Sequence, residues 1–298
     1  MMANVRAAKA AAKRAKSTRA IDMSKVRGKR GNKKPRREAE VDASMPSLYD
    51  AIVDGIVDVE KYLDAGIDVN EALTSDGATP LLLAAQNGHL DVVTKLIAAD
   101  ALVDKATTDG CTPLYIAAQN AHLTVVTKLI AADADVDKAM ATDGCTPLYI
   151  AAQNGHLDVV RKLIAADADV DKAATNGCTP LYIAAGKGHL AVVTKLIAAD
   201  ADVDKARTDT GATPLFIAAQ YGHLTVVTKL IAAGALVDKA ETGHGMTPLF
   251  IAAGKGHTAI VLKLLQHGAD KSIRGWQNKT PLEAAQGQNH AAIVALLA

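Results

Sequence analysis

Aromatic residues are scarce in this chain: one Trp, six Tyr and two Phe in 298 positions. Its core must therefore be built from Ala, Leu, Val and Ile, small side chains that suit helices packed close together. No apolar run reaches the roughly 18 residues of a membrane span. No short apolar segment follows the positive charges near the start, so a secretory leader is not expected. Cysteine is almost absent too. Cys111, Cys145 and Cys178 are too few for a disulfide scaffold and odd in number, which points to a reducing compartment. Metalloprotease, kinase, nucleotide-binding and hydrolase motifs are all missing. Gly186-Lys-Gly-His and Gly254-Lys-Gly-His look superficially like phosphate loops, but lack the preceding strand, the glycine spacing and the Ser or Thr. Neither an enzyme nor a cofactor is expected.

The net charge of +1 averages two opposed parts. Residues 1–40 hold 14 Lys and Arg against Asp22, Glu38 and Glu40, a net of +11, whereas the rest holds 19 against 29, a net of −10. A basic arm precedes an acidic body, an asymmetry that bears on partners rather than on fold.

What the chain has in abundance is repetition. Thr-Pro recurs at 79–80, 112–113, 146–147, 179–180, 213–214, 247–248 and 280–281, always 33 or 34 residues apart. Thr before Pro is a helix start, with Thr as N-cap and Pro at the first helical position. Leu148, Ala151 and Ala152 then form one apolar stripe, and Gly155 breaks the helix. A second helix is expected from near Leu157, with Val160, Leu163 and Ile164 inward, ending near Asp167 in a left-handed residue. About ten polar residues lead to the next Thr-Pro. One such helix pair cannot cover its own apolar faces, but stacked copies cover each other's.

Thr-Pro-Leu-x-x-Ala-Ala-x-x-Gly-His-Leu at this period resembles the ankyrin repeat. The resemblance covers residues 46–298 and implies an all-α solenoid of about eight stacked helix pairs with β-hairpin-like fingers, behind a disordered tail over 1–44. Residues 46–75 read as a degenerate N-terminal cap with Ser47 in the place of Pro. Regular units span about 76–276, and 277–298 form the C-terminal cap. The resemblance also implies a non-catalytic protein-binding scaffold, using finger tips and the inner helix face. The chain departs from the family pattern in three places. The His of Thr-Pro-Leu-His gives way to Leu82, Tyr115, Tyr149, Tyr182, Phe216, Phe250 and Glu283. Asp100, Asp133, Asp167 and Asp200 end second helices where Gly is usual. Ala121 replaces the Gly between helices, and would be strained if that position needs a positive φ.

Candidate binding residues follow from these rows. Tyr115, Tyr149, Tyr182, Phe216 and Phe250 lie at the margin of the buried stripe, open to two readings: stacking between repeats, or an aromatic ledge along the groove. The varied pair after Ala-Ala includes Gln119, Asn120, Gln153, Asn154, Lys187, Tyr221 and Lys255, and Tyr221 is its one aromatic. Trp276 stands at a finger tip, either folded over the C-terminal cap or presented as an anchor. The His row, once per unit, reads as backbone-bonding near the turn between helices. Cysteines one repeat apart, at about 10 Å, exceed disulfide reach, and a metal site is not expected.

In the arm, Arg27, Lys29, Arg30, Lys33, Lys34, Arg36 and Arg37 form a basic cluster resembling a nuclear import signal. Contact with nucleic acid or anionic lipid, a transit peptide and an inert tail fit as well. No aromatic is available there for base stacking, which argues against reading of nucleic-acid sequence. The expected protein is a monomer of the cytoplasm, the nucleus or both. Its array would bind another protein with basic features, and residues 1–40 would meet an import factor or nucleic acid.

Overall fold

The computed structural model describes residues 47–55 and 59–298. The chain divides between Ala39 and Glu40, and all described residues lie in the second part. The basic cluster from Arg27 to Arg37 and the expected tail over 1–44 fall outside the described residues.

Sixteen α-helices are present among the described residues, paired two per repeat, and no strand is. The first pair is α1 (Leu48–Val53) and α2 (Val59–Asp64). Then come α3 (Pro80–Asn87) and α4 (Leu90–Ala98), α5 (Pro113–Gln119) and α6 (Leu123–Ala131), and α7 (Pro147–Gln153) and α8 (Leu157–Ala165). They are followed by α9 (Pro180–Lys187) and α10 (Leu190–Ile197), α11 (Pro214–Gln220) and α12 (Leu224–Ala232), α13 (Pro248–Lys255) and α14 (Thr258–Gln266), and α15 (Pro281–Gly287) and α16 (Ala291–Leu297).

Each first helix of the regular units begins as the Thr-Pro signal requires. Thr146 caps α7 with its hydroxyl accepting from the Tyr149 amide at 3.1 Å, and Pro147 occupies the first turn, where its missing N–H costs nothing. In the degenerate first unit Ser47 takes over the cap, accepting from the Asp50 amide at 3.2 Å, so the helix opens one residue later in the motif. At the far end, α15 carries a full capping box. The Glu283 carboxylate accepts from the Thr280 amide at 2.6 Å, which holds its pKa below the usual range.

The core is one column of small apolar side chains. Leu148, Ala151 and Ala152, and their equivalents in the regular units, are fully buried, whereas Leu282 in the last unit is only partly so. In the second helices the buried set is Val159, Val160 and Leu163, while Ile164 stays partly exposed. The expected stripe is therefore rotated by about one position. Each second helix of the regular units lies between two neighbours and turns a β-branched pair inward, Val-Val in five of them and Ile260-Val261 in α14.

The segments between repeats are hairpin-like fingers, held by single bonds rather than by a ladder. Within one finger the Met140 amide donates to the Cys145 carbonyl at 2.9 Å. Neighbouring fingers are tied by further bonds, among them Ala141 N–H to Asp109 O at 2.9 Å and Thr175 N–H to Asp143 O at 2.8 Å. A second tie runs along the loops that follow the second helices. The carboxylates of Asp104, Asp137, Asp171, Asp204 and Asp238 accept the amides of Asp135, Asp169, Asp202, Leu236 and Asp270, one repeat further on. The ammonium groups of Lys172, Lys205 and Lys239 donate back to the carbonyls of Asp137, Asp171 and Asp204. Half-burial pushes the carboxyls of Asp104 and Asp171 above the ordinary value, because a desolvated charge costs more than the one amide bond returns. No helix among the described residues is long and apolar enough to cross a membrane.

Candidate functional site

The recurring histidines are structural. His122, His156, His189 and His223 place Nε2 within 2.9–3.0 Å of the carbonyls of Gln86, Gln119, Gln153 and Gly186, one repeat earlier. His89, His257 and His290 meet Val53, Gln220 and Gly254 in the same way. A neutral imidazole must donate this bond from Nε2, since a carbonyl can only accept. The same rings explain the glycine between helices. Gly155 has φ +76°, and a Cβ there would lie 2.8 Å from Nδ1 of His189. Ala121 sits in the equivalent place with φ +62°. Asp100, Asp133, Asp167 and Asp200 are likewise left-handed, with φ of 62–64°.

The aromatic column is core. Tyr115, Tyr149, Tyr182, Phe216 and Phe250 expose only 4–7% of their surface. This burial fits stacking between repeats, and Tyr149 and Tyr182 also line a surface hollow, so the two readings are compatible. Burial also pushes the Tyr182 hydroxyl up to about 12, and those of Tyr115 and Tyr149 higher still. Cys145 and Cys178 are buried and Cys111 half-buried, all as free thiols. Burial, helped by nearby Asp residues, raises Cys111 to about 11 and Cys145 to about 12, leaving them protonated and unreactive. Among the described residues no His, Cys, Asp and Glu side chains converge as a metal site.

The pair after Ala-Ala is exposed but unequal. Asn120 and Asn154 spend their amide groups on the Gln86 and Gln119 carbonyls at 2.9 and 3.0 Å. Gln119 and Gln153 are half-buried, while Lys187 and Lys255 are exposed without such ties. Tyr221 caps α11 and leaves 59% of its surface open, with its ring centroid 6.5 Å from that of His223. Trp276 opens a short 3₁₀ turn and is 48% exposed, with Lys279 Nζ 5.8 Å from its ring centroid.

Of the candidate binding residues singled out from the sequence, Tyr149, Tyr182, Lys187 and Tyr221 line one hollow of about 560 Å³, formed mainly by α9, α11 and their fingers, and the others lie outside it. Tyr149, Tyr182 and His223 form its floor, Ile183 and Ile217 its apolar wall, and Lys187, Arg207 and Tyr221 its rim. Arg207 was not among the residues picked from the sequence. The signal for it is its place in the finger, where other repeats hold Thr107, Met140, Ala174 and Glu241. Its guanidinium lies 5.8 Å over the Tyr182 ring and grips Asp209 with Nε and Nη2, at 2.9 and 2.5 Å. The arrangement offers a concave, part-apolar surface with fixed charge. It presents no activated nucleophile.

A family model described as ankyrin repeats in three copies matches overlapping stretches over residues 48–140, 105–173, 134–209, 199–275 and 215–298. Among solved structures, the chain is similar to the human ASB11 ankyrin repeat domain at 26% identity, over 73% of this chain and 97% of that one, with a TM-score of 0.66. It is also similar to the ankyrin repeat domain of Bcl-3, described as a unique member of the IkappaB protein family, at 27% identity over 74% and 100%, with a TM-score of 0.65. No curated protein matches the sequence significantly.

Proposed function

The chain belongs to the ankyrin-repeat family, whose repeats mediate protein–protein interaction, and from that premise we propose that this array is a non-catalytic scaffold. It receives one partner protein along its inner helix face and finger tips. The observation that supports this reading most is Tyr221, the most exposed large apolar side chain among the described residues, standing on the rim of the hollow. An amphipathic aromatic held at a helix end, beside a concave surface, has the form of an interface anchor. Lys187 and Lys255 extend the contact surface along the same row, and the half-open Trp276 adds a finger tip. The net charge of −10 outside the arm favours a partner with basic features overall.

A second reading rests on residues 1–40, whose net charge of +11 suits an import factor or a nucleic-acid backbone. Under it the arm, up to about residue 44, holds DNA or RNA and the array over 45–298 recruits a protein. The protein in either case is a monomer of the cytoplasm or nucleus.

Affinity capture with the full chain, with residues 45–298 and with Tyr221→Ala separates these. The scaffold reading expects residues 45–298 to retain the same partner and Tyr221→Ala to lose it. Equal recovery by Tyr221→Ala would overturn the groove assignment. Salt-sensitive retention of random nucleic acid, lost without residues 1–40, would favour the second reading.

A further inference from the structure

Gly186 is a helical residue without a left-handed φ, so nothing in its backbone requires glycine, and in that setting it costs about 0.5–1 kcal/mol relative to Ala. Gln86, Gln119, Gln153 and Gln220 occupy the same place in four other repeats, and Gly254 in a fifth, where the facing residue is Ala284 rather than isoleucine. A Cβ at Gly186 would lie 3.1 Å from Cγ1 of Ile217, so a side chain here would lie against that wall of the hollow. The glycine opens the space.

The charge around this space is the reverse of the array's. No carboxylate lines the hollow. Asn176 stands on its finger where Asp76, Asp109 and Asp143 stand on the three before it. Lys187 replaces the Asn of the three preceding repeats and is exposed. Arg207 is positioned by Asp209, which engages Nε and Nη2 but not Nη1. Counting Lys187, Arg207 and Asp209 together, one positive charge is left over, beside Ile183, Ile217 and Tyr221.

We propose that this hollow takes an acidic side chain, Asp or Glu, from an extended segment of the partner protein. The carboxylate meets Lys187 and Arg207, the aliphatic stem lies over Ile183 and Ile217 in the space Gly186 leaves, and an adjoining apolar residue packs on Tyr221. The segment's basic flanks face the finger carboxylates of Asp109 and Asp143. This deepens the scaffold reading and rests on it. The array's net charge sets how a partner approaches, and the hollow sets which residue anchors it.

A random-peptide phage library panned on the full chain tests the assignment. The wild type enriches peptides carrying an acidic residue beside an apolar one. Gly186→Gln, which fills the space as four other repeats do, loses the acidic preference. Lys187→Glu shifts it toward Lys and Arg. A synthetic copy of the selected peptide binds each variant about tenfold or more weakly, the loss expected for one charge-assisted contact. Thermal melts verify that both variants fold. Two results overturn the proposal: no enrichment of Asp or Glu on the wild type, or the same peptides from the wild type and both variants. If peptides bind and Tyr221→Ala abolishes them without any acidic preference, the scaffold reading stands and the acidic anchor falls. If no peptide is enriched on the wild type at all, both fall.

Discussion

Ala121 holds a backbone that every other regular unit gives to glycine, at φ +62°. A left-handed L-residue is strained by about 1–2 kcal/mol, of which the added flexibility of glycine cancels about 0.5–1. Ala121→Gly should therefore stabilise the protein by about 0.5–1 kcal/mol, read as a raised midpoint in urea, and a lowered midpoint would refute the strain. Gly155→Ala is the converse. It adds the same strain and drives a Cβ to 2.8 Å from His189, so it should lower stability by more than Ala121→Gly raises it. His189→Ala removes the bond to the Gln153 carbonyl and should cost about 1–2 kcal/mol, with faster amide exchange in the two repeats it joins. The cysteines allow a simpler check. With thiol pKa values pushed up to about 11 and about 12 at Cys111 and Cys145, a thiol reagent at pH 8 should label the native protein slowly and the urea-unfolded protein fast.

Helix starts and loop ties behave differently under mutation and pH. Thr146 is buried, and its hydroxyl serves the Tyr149 amide within the protein interior. Thr146→Ala should cost about 1–2 kcal/mol, since no water can replace the lost acceptor. The loop carboxylate of Asp171 has the opposite character. Its folded pKa is raised, so the native state binds the proton more tightly than the unfolded chain does. The favourable contribution is present below the unfolded value near 3.8 and is lost as pH rises through the folded value. Asp171→Asn keeps an oxygen for the Asp202 amide and removes the desolvated charge. It should be stabilising at pH 7 and neutral at pH 3, as measured by urea melts. A gain of equal size at both pH values would show that charge is not the cause.

The array as a whole is held by nearest-neighbour ties: a His to a carbonyl, an Asp to an amide, a Lys to a carbonyl and a finger to a finger, each reaching one repeat. Stability should then scale with repeat number. Deleting residues 147–179 joins Thr146 to Pro180 within the same local sequence, so the shortened chain should still fold. Its urea transition should be less steep, because less surface is exposed on unfolding. A shortened chain that fails to fold would mean that the repeats are not interchangeable. The deletion also removes Tyr149 and Asn176 from the hollow while sparing Tyr221, which separates loss of stability from loss of binding.

Much of this was readable from residue order, because the relevant physics is local. Thr-Pro before an apolar stripe starts a helix wherever it occurs, Gly or Asp ends one, and a 33-residue period with apolar faces on both helices demands stacking. What residue order left open were the contacts made with the next repeat. The histidine row was visible, but the carbonyl each ring meets lies about one repeat back in sequence, and only stacking brings them together. Tyr149 sits at the margin of its own helix's stripe, and the neighbouring finger and helix put it inside. The inward face of α8 turned from Ile164 to Val159 because two flanking helices close on it. Gly186 could be read as a break in a glutamine row. That the break is an open space, edged by Arg207 from a different finger, follows from packing, since an empty volume is a property of the walls around it.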